Sequence, residues 1–167
     1  MEPAMSTRPQ RDELPPGTLE TDAVTVRTLA PGDLDAIVRI DRDWTGRPRR
    51  RYLEQKLLEA QRDTGVRISL AAELDGQLAG FLLARLYYGE FGHPEPIAEL
   101  DTIGVAKASR GRRVGEALLR QLRTNLAGLG IQRIETQVDW EQFELLGFFR
   151  RSGFKPAPRL CLELALE

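Results

Sequence analysis

Apolar and polar residues alternate at every second position through Val66, Ile68, Leu70, Ala72 and Leu74, the period of a strand with one buried face. Asp75-Gly76 follows, a strong two-residue hairpin signal. The return run, residues 78–87, is nearly continuously apolar and predicts a strand buried on both faces. An earlier strand is predicted over residues 24–29. Pro31 suits the first turn of a helix, in which Leu34, Ile37, Val38 and Asp41 mark a partly apolar face ending near Trp44. Pro48 opens a second helix to about Gln61, with Leu53, Leu57 and Ala60 on one side. Residues 88–96 hold two glycines and two prolines and read as a loop; residues 97–105 read as the next strand.

Further along, Val114, Leu118, Leu122, Leu126 and Leu129 form one helical stripe, with Gly128 or Gly130 as its stop. Ile134, Thr136 and Val138 alternate as a strand. Asp139 and Gln142 read as the capped start of a helix that runs to about Arg151 and stops at Gly153. Leu160, Leu162, Leu164 and Leu166 predict a last strand, with Cys161 opposite the leucine face. The order β-α-α-β-β-β-α-β-α-β predicts a mixed α/β sheet with helices on both faces. Residues 1–20 carry four of the ten prolines among polar residues and read as a disordered tail. Residues 21–167 read as a single domain.

Composition narrows the classes. The formal net charge is −1, so no global field draws this chain to nucleic acid or to a membrane. The longest apolar run, residues 78–84, is far too short to span a bilayer, and no secretory signal is read at the N-terminus. One cysteine forbids an intrachain disulfide and suits a reducing compartment, so a cytoplasmic location is expected. With one Cys and one His, His93, no metal site is expected.

The candidate chemistry centres on Arg110-Gly111-Arg112-Arg113-Val114-Gly115-Glu116-Ala117, a basic, Gly-containing loop between a strand and a helix. The first N–H groups of a helix have no intrahelical partner and favour anions. Arginine forks add charge and bidentate donors suited to phosphate. Neither G-x-x-x-x-G-K-[ST] nor G-x-G-x-x-G is present. The loop resembles the pyrophosphate loop of the GNAT superfamily of N-acetyltransferases, Q/R-x-x-G-x-G/A. Arg110 fills its first position and Gly115 its last, while Arg113 replaces the middle glycine. Residues 148–154, Phe-Phe-Arg-Arg-Ser-Gly-Phe, resemble the family's F/L-Y-x-x-x-G-F segment. The likeness runs from about Val24 to Leu166 and includes the element order.

This resemblance implies a mostly antiparallel central sheet and acetyl-CoA as co-substrate. It implies pairing of the pantetheine arm at Ile103, Gly104 and Val105, where a bulge would splay the strand and free a backbone N–H for the oxyanion. The pyrophosphate would lie on Arg110, Gly111, Arg112, Arg113, Val114, Gly115 and Glu116, with Phe148 and Phe149 walling the arm. Family members act on protein N-termini, lysines, polyamines, aminoglycosides or small metabolites, so a small-molecule or peptide amine is the expected acceptor. The resemblance also admits a homodimer.

An amine near pKa ~10.4 needs a base at neutral pH. Glu99 and Asp101 lie two apart on the strand before the loop, and so share a face, read together with Ile97, Ile103 and Val105. Glu99 precedes Arg110 by eleven residues, which resembles the catalytic glutamate spacing of the histone-acetylating branch. Glu99 is therefore the first choice of base and Asp101 the second. Many family members carry a general-acid tyrosine where this chain has Phe149; Tyr87 and Tyr88 are the nearest substitutes. Trp44, Arg47 and Tyr52 are candidate acceptor contacts, beside Arg49, Arg50 and Arg51. No nucleophile-histidine arrangement is present, which favours direct transfer. The rival reading is an acyl-CoA-binding sensor or interaction module without catalysis, suggested by Phe149.

Overall fold

The computed structural model describes residues 24–62, 68–90 and 93–166. The expected tail over residues 1–20 and the strand start at Val66 lie outside the described residues. The elements are β1 (Thr25–Thr28), α1 (Leu34–Thr45), α2 (Arg50–Arg62), β2 (Leu70–Leu74), β3 (Gln77–Glu90) and β4 (His93–Val105). α3 (Val114–Gly128), β5 (Ile134–Glu135) and α4 (Phe143–Arg151) follow. Short 3₁₀ turns at Pro31–Asp33 and Lys107–Ser109 lead into α1 and the basic loop.

The sheet runs β1-β2-β3-β4-β5. Its first four strands pair antiparallel, and β5 pairs parallel to β4. Asp75 and Gly76 both adopt positive φ, 51° and 73°, as a two-residue hairpin requires. β3 is buried on both faces: Leu82 and Ala84 pack on the α3 side, Phe81 and Leu83 on the α1/α2 side. The α3 stripe of Val114, Leu118, Leu122 and Leu126 fills the first cluster. Burying each such leucine is worth roughly 1.5–3 kcal/mol. Gly80 allows this contact, since a Cβ there would lie 2.7 Å from Val114 Cγ1.

Four expectations are corrected. The strand expected through Ile134, Thr136 and Val138 stops at Glu135, because the ladder with β4 holds only two pairs. Residues 88–90 and 93–96 are strand rather than loop: Tyr88 pairs with Pro96 and Glu90 with His93, extending β3 and β4. Pro94 and Pro96 fit because β5 joins β4 only at Ala98 and Glu99, leaving the earlier edge free of a ladder that needs their N–H. α4 begins at Phe143 instead of Asp139, whose carbonyl accepts the Gln142 N–H in a preceding turn at 3.0 Å. Residues 160–166 form no strand: they enter no ladder with a described strand, although Arg159 Nη1 reaches both Glu135 oxygens at the end of β5.

Arg27 ties the first strands to the start of α1. Its guanidinium forks onto Asp33 at 2.7 and 2.8 Å, and its Nε donates to Glu73 at 2.7 Å. Asp33 also accepts the Ala30 N–H at 2.8 Å. The Arg27 hydrogen bonds hold the Asp33 carboxyl below its ordinary pKa, against the opposing effect of burial and with help from the Ala30 N–H. A depressed folded pKa stabilises above the unfolded value and is lost as pH falls through the folded one. Asp33→Asn should therefore lower unfolding free energy by about 2 kcal/mol at neutral pH. The gap to the parent should close as pH drops below about 4 in denaturant titrations; a gap independent of pH would remove this role.

Candidate active site

The basic loop folds into an open cradle of amides. Gly111 has φ 77°, and Arg113 has φ 59° and ψ 20°, directly before α3. Left-handed residues followed by helical ones turn successive N–H groups toward one concavity. Among the described residues, the N–H groups of Gly111, Arg113, Val114, Gly115 and Glu116 have no hydrogen-bond partner. The first intrahelical bond is Ala117 N–H to Arg113 O at 3.0 Å. Thus Arg113 takes the conformation that glycine takes at no steric cost, and the cradle survives the substitution. Gly115 is required for another reason: a Cβ there would meet the Phe148 ring at 3.1 Å, so α4 closes against the first turn of α3. Arg110 spans to α4 as well, with Nη2 donating to Glu144 at 2.8 Å.

Next to the cradle, β4 presents an unpaired edge. Ala98 N–H donates to Arg133 O at 2.9 Å, and Thr136 Oγ1 donates to Leu100 O at 2.9 Å. The β5 ladder ends at the Glu99–Glu135 pair. Farther along, Val105 lies opposite Gly80, and the flanking bond runs from Ala106 N–H to Ala79 O at 2.8 Å. In an antiparallel ladder this phase turns the N–H and C=O of Val105, and of Ile103, away from β3. They face the side where β5 has ended. Trp44 Nε1 donates to the Val105 carbonyl at 2.7 Å, while Arg110 and Lys107 lie over its ring at 4.8 and 5.5 Å.

Between edge and carboxylates lies a bulge. Leu83 opposes Thr102 and Ala84 opposes Leu100, which leaves Asp101 as the extra residue. The bulge falls two residues before Ile103, and it reverses the alternation. Ala98, Leu100, Ile103 and Val105 pack on the α3 side. Glu99 and Asp101 face the α2 side, so the expectation that they share a face with Ile103 and Val105 is overturned.

Each carboxylate meets a cation. Asp101 accepts Lys56 Nζ at 3.1 Å, with Arg85 Nε 3.8 Å away. Glu99 Oε2 accepts both Arg85 Nε at 3.0 Å and Nη2 at 2.7 Å, while Oε1 has no hydrogen bond among the described residues. Burial opposes the Arg85 charge, but the Glu99 hydrogen bond and the charges of Asp101, Glu99 and Glu59 raise its pKa overall. Lys56, Glu59, Arg85 and Asp101 line a cleft of about 110 Å³, floored by Ile68 and Leu83.

The other predicted residues divide. Tyr87 shares the carboxylate face, its ring 5.9 Å from the Arg85 guanidinium carbon. Tyr88 points to the opposite face and is 70% exposed. Tyr52 borders the carboxylate face, within 5.9 Å of Lys56 Nζ. Arg47 is exposed. Arg49 instead joins the helices, gripping buried Asp41 at 3.0 and 2.6 Å, and that hydrogen bond raises its pKa. Trp44 belongs to the loop and the end of β4 rather than to the carboxylate face. Phe149 is buried between Phe148 and Phe154, at centroid distances of 5.4 and 4.8 Å. Sequence reasoning missed Lys56, Arg85 and Glu144. The signal for Arg85 was present: it is the single charge in the apolar run of residues 78–86.

The profile of the acetyltransferase (GNAT) family matches residues 34–154. Among curated proteins, the mycothiol acetyltransferase of Thermomonospora curvata is 28% identical over 155 residues, covering 88% of this chain and 49% of that protein. The mycothiol acetyltransferase of Amycolatopsis mediterranei is 28% identical over 150 residues, covering 83% and 48%. The chain thus spans about half the length of these relatives. Among solved structures, a transcriptional regulator from Bacillus halodurans C-125 superimposes with TM-score 0.73 at 20% identity, covering 86% of this chain and all of that one (100%). The aminoglycoside N-acetyltransferase AAC(6')-Iy, in complex with CoA, gives TM-score 0.72 at 18% identity, covering 92% and 99%. At such identities the structural likeness speaks for the fold. The family profile extends from the first residue of α1 to the turn after α4, and the chain belongs to the acetyltransferase (GNAT) family.

Proposed function

We propose that this chain transfers an acetyl group from acetyl-CoA directly to a primary amine, with Glu99 as general base. The amide cradle carries the reading. Five unpartnered N–H groups at the head of α3, ringed by Arg110, Arg112 and Arg113, suit a diphosphate. The Ile103 and Val105 edge suits the two amides of a pantetheine arm laid alongside in the manner of a strand. A ligand so placed directs its thioester back along β4 toward the bulge and the carboxylates.

Glu99 Oε1 would accept the ammonium proton, directly or through water, while Arg85 on Oε2 holds the carboxylate in place. The free amine then attacks the thioester carbonyl, and a backbone N–H near Ile103 stabilises the oxyanion. The tetrahedral centre collapses with departure of the thiolate. Tyr87 is the better-placed of the two tyrosines for returning a proton to sulfur, because it lies on the Glu99 face. Asp101, Tyr52 and Arg47 border the acceptor. The mycothiol and aminoglycoside acetyltransferases among the relatives point to a small-molecule amine as the first acceptors to screen. A cytoplasmic setting, suggested by the single cysteine, would supply acetyl-CoA.

A binding-only role is favoured by one observation: Phe149, where the family's tyrosine is expected, is buried in the core and has no proton to give. Thiol release with an amine panel separates the readings, since tight coenzyme binding without turnover on any amine supports a sensor.

Glu99→Gln should lower turnover about 10²–10⁴-fold near neutral pH, with coenzyme affinity little changed. The deficit should shrink as pH approaches the acceptor's own pKa; a constant rate ratio across pH would remove Glu99 as the base. The left-handed strain at Arg113 gives a second test. Arg113→Gly should be about 1 kcal/mol more stable than Arg113→Ala, because only glycine relaxes there. Both variants should still bind coenzyme in calorimetric titration, since the amides remain. Equal stabilities would show that the position is not left-handed in solution.

A further inference from the structure

At Val105 the open edge of β4 is closed by a side chain. Trp44 Nε1 donates to the carbonyl at 2.7 Å. Two cations rest over the same ring, Arg110 at 4.8 Å and Lys107 at 5.5 Å. Trp44 lies in the last turn of α1, where the backbone is fixed. Gly46, at φ 73°, ends the helix and donates its N–H to the Arg42 carbonyl at 2.9 Å. Thr45 Oγ1 lies 2.9 Å from the Asp41 and Arg47 carbonyls. Trp44 is nonetheless 42% exposed, so its ring can swing toward solvent about its side-chain torsions without crossing the core.

The bond sits where an incoming arm needs an acceptor. Val105 turns its N–H and C=O away from β3, to the side that β5 has left. An arm laid there like a strand brings amide N–H groups, and each is costly to leave unpaired once it is out of water. Neighbouring strands lie roughly 4.8 Å apart. An indole nitrogen 2.7 Å from the Val105 oxygen stands inside that lane. Ring and arm therefore contend for one acceptor and one space.

We propose that Trp44 is a gate on the coenzyme's arm. In the free protein its indole N–H occupies the Val105 carbonyl and keeps that edge group from standing open. On binding, an amide of the pantetheine arm takes the carbonyl and the ring swings outward. The gate rests on the coenzyme placement proposed above, and it names the residue that must move for that placement. The diphosphate takes no part in the exchange, since Trp44 bonds to β4 and not to the cradle amides. Trp44 thus bears on the coenzyme rather than on the acceptor amine.

Calorimetric titration of the full chain with coenzyme A and with adenosine diphosphate, which carries the diphosphate without the arm, tests the gate. Trp44→Phe keeps an aromatic ring under the two cations and removes the N–H. It should tighten coenzyme A about 2–10-fold, the worth of one net hydrogen bond, and leave adenosine diphosphate unchanged. Trp140→Phe gives an independent readout with the gate intact. Trp140 is 90% exposed, and its removal leaves Trp44 as the single tryptophan of the chain. Coenzyme A should then shift Trp44 emission to the red as the ring enters water, while adenosine diphosphate should not. Coenzyme A affinity that is unchanged or weaker in Trp44→Phe overturns the gate, as does Trp44 emission indifferent to coenzyme A. An equal gain for both ligands also overturns it, because the effect would then lie at the cations and not at the arm. A parent chain that binds neither ligand would instead remove the coenzyme placement itself, and the gate with it.

Discussion

One strand, β4, carries different obligations along its two edges, and the site depends on that asymmetry. Toward β3 it is paired from Glu90–His93 through Gly80–Val105. Toward β5 the ladder holds only Ala98 and Glu99, with a further side-chain bond at the Leu100 carbonyl. Beyond that point, main-chain donors and acceptors on one side have no strand to satisfy them. A polar edge of that kind must face water, a side chain or a ligand. Here it is part-served by the Trp44 indole at Val105. The same interruption allows the bulge at Asp101, which rotates the carboxylates to one face and the apolar residues to the other. A regular β4 would set Glu99, Asp101, Ile103 and Val105 on one face, with the carboxylates directed into the α3-side core.

The loop after β4 shows how backbone geometry outlasts side-chain identity. Anion recognition by a helix start depends on amide direction, and amide direction depends on φ and ψ. Arg113 in the left-handed region costs of order 1 kcal/mol or more, yet the flanking contacts hold it there. Those contacts are concrete: Gly80 admits Val114 to the sheet, Gly115 admits Phe148, and the Trp44 ring lies beneath Arg110 and Lys107. The Arg110–Glu144 pair is exposed on both sides and adds little stability. Its consequence is local, since any anion at the loop would compete with Glu144 for one guanidinium.

What the chain disclosed in advance follows from how local each signal is. The Asp75-Gly76 hairpin, the doubly buried β3 and the α3 stripe rest on neighbours within a few residues, and all three are present, the stripe without Leu129, which lies past the end of α3 and is exposed. The loop start at Arg110 and the glycine at 115 were legible for the same reason. The bulge was not, because an extra residue shows only against its partner strand, and that register could not be counted through residues 88–96. The cation partners of Glu99 and Asp101 were hidden likewise. Lys56 comes from α2 and Arg85 from β3, 45 and 14 residues away from their acceptors in sequence. The leucine alternation over residues 160–166 was read correctly as a pattern and wrongly as a strand, because a strand needs a neighbour that periodicity cannot supply.

The pairing of each carboxylate with a cation changes the mechanistic question. Two carboxylates alone on an apolar face would repel, and one would hold a proton. Here each carboxylate has a cation beside it, Lys56 for Asp101 and Arg85 for Glu99. Both Arg85 donors fall on Oε2 of Glu99, so Oε1 can take a proton without first breaking the pair. Protonating Glu99 would weaken its bond to Arg85. The Arg85 charge is itself supported by Asp101 and Glu59, so it does not rest on Glu99 alone. The Glu99 carboxylate is thus positioned by residues from three separate elements, and β4 alone could not have placed it.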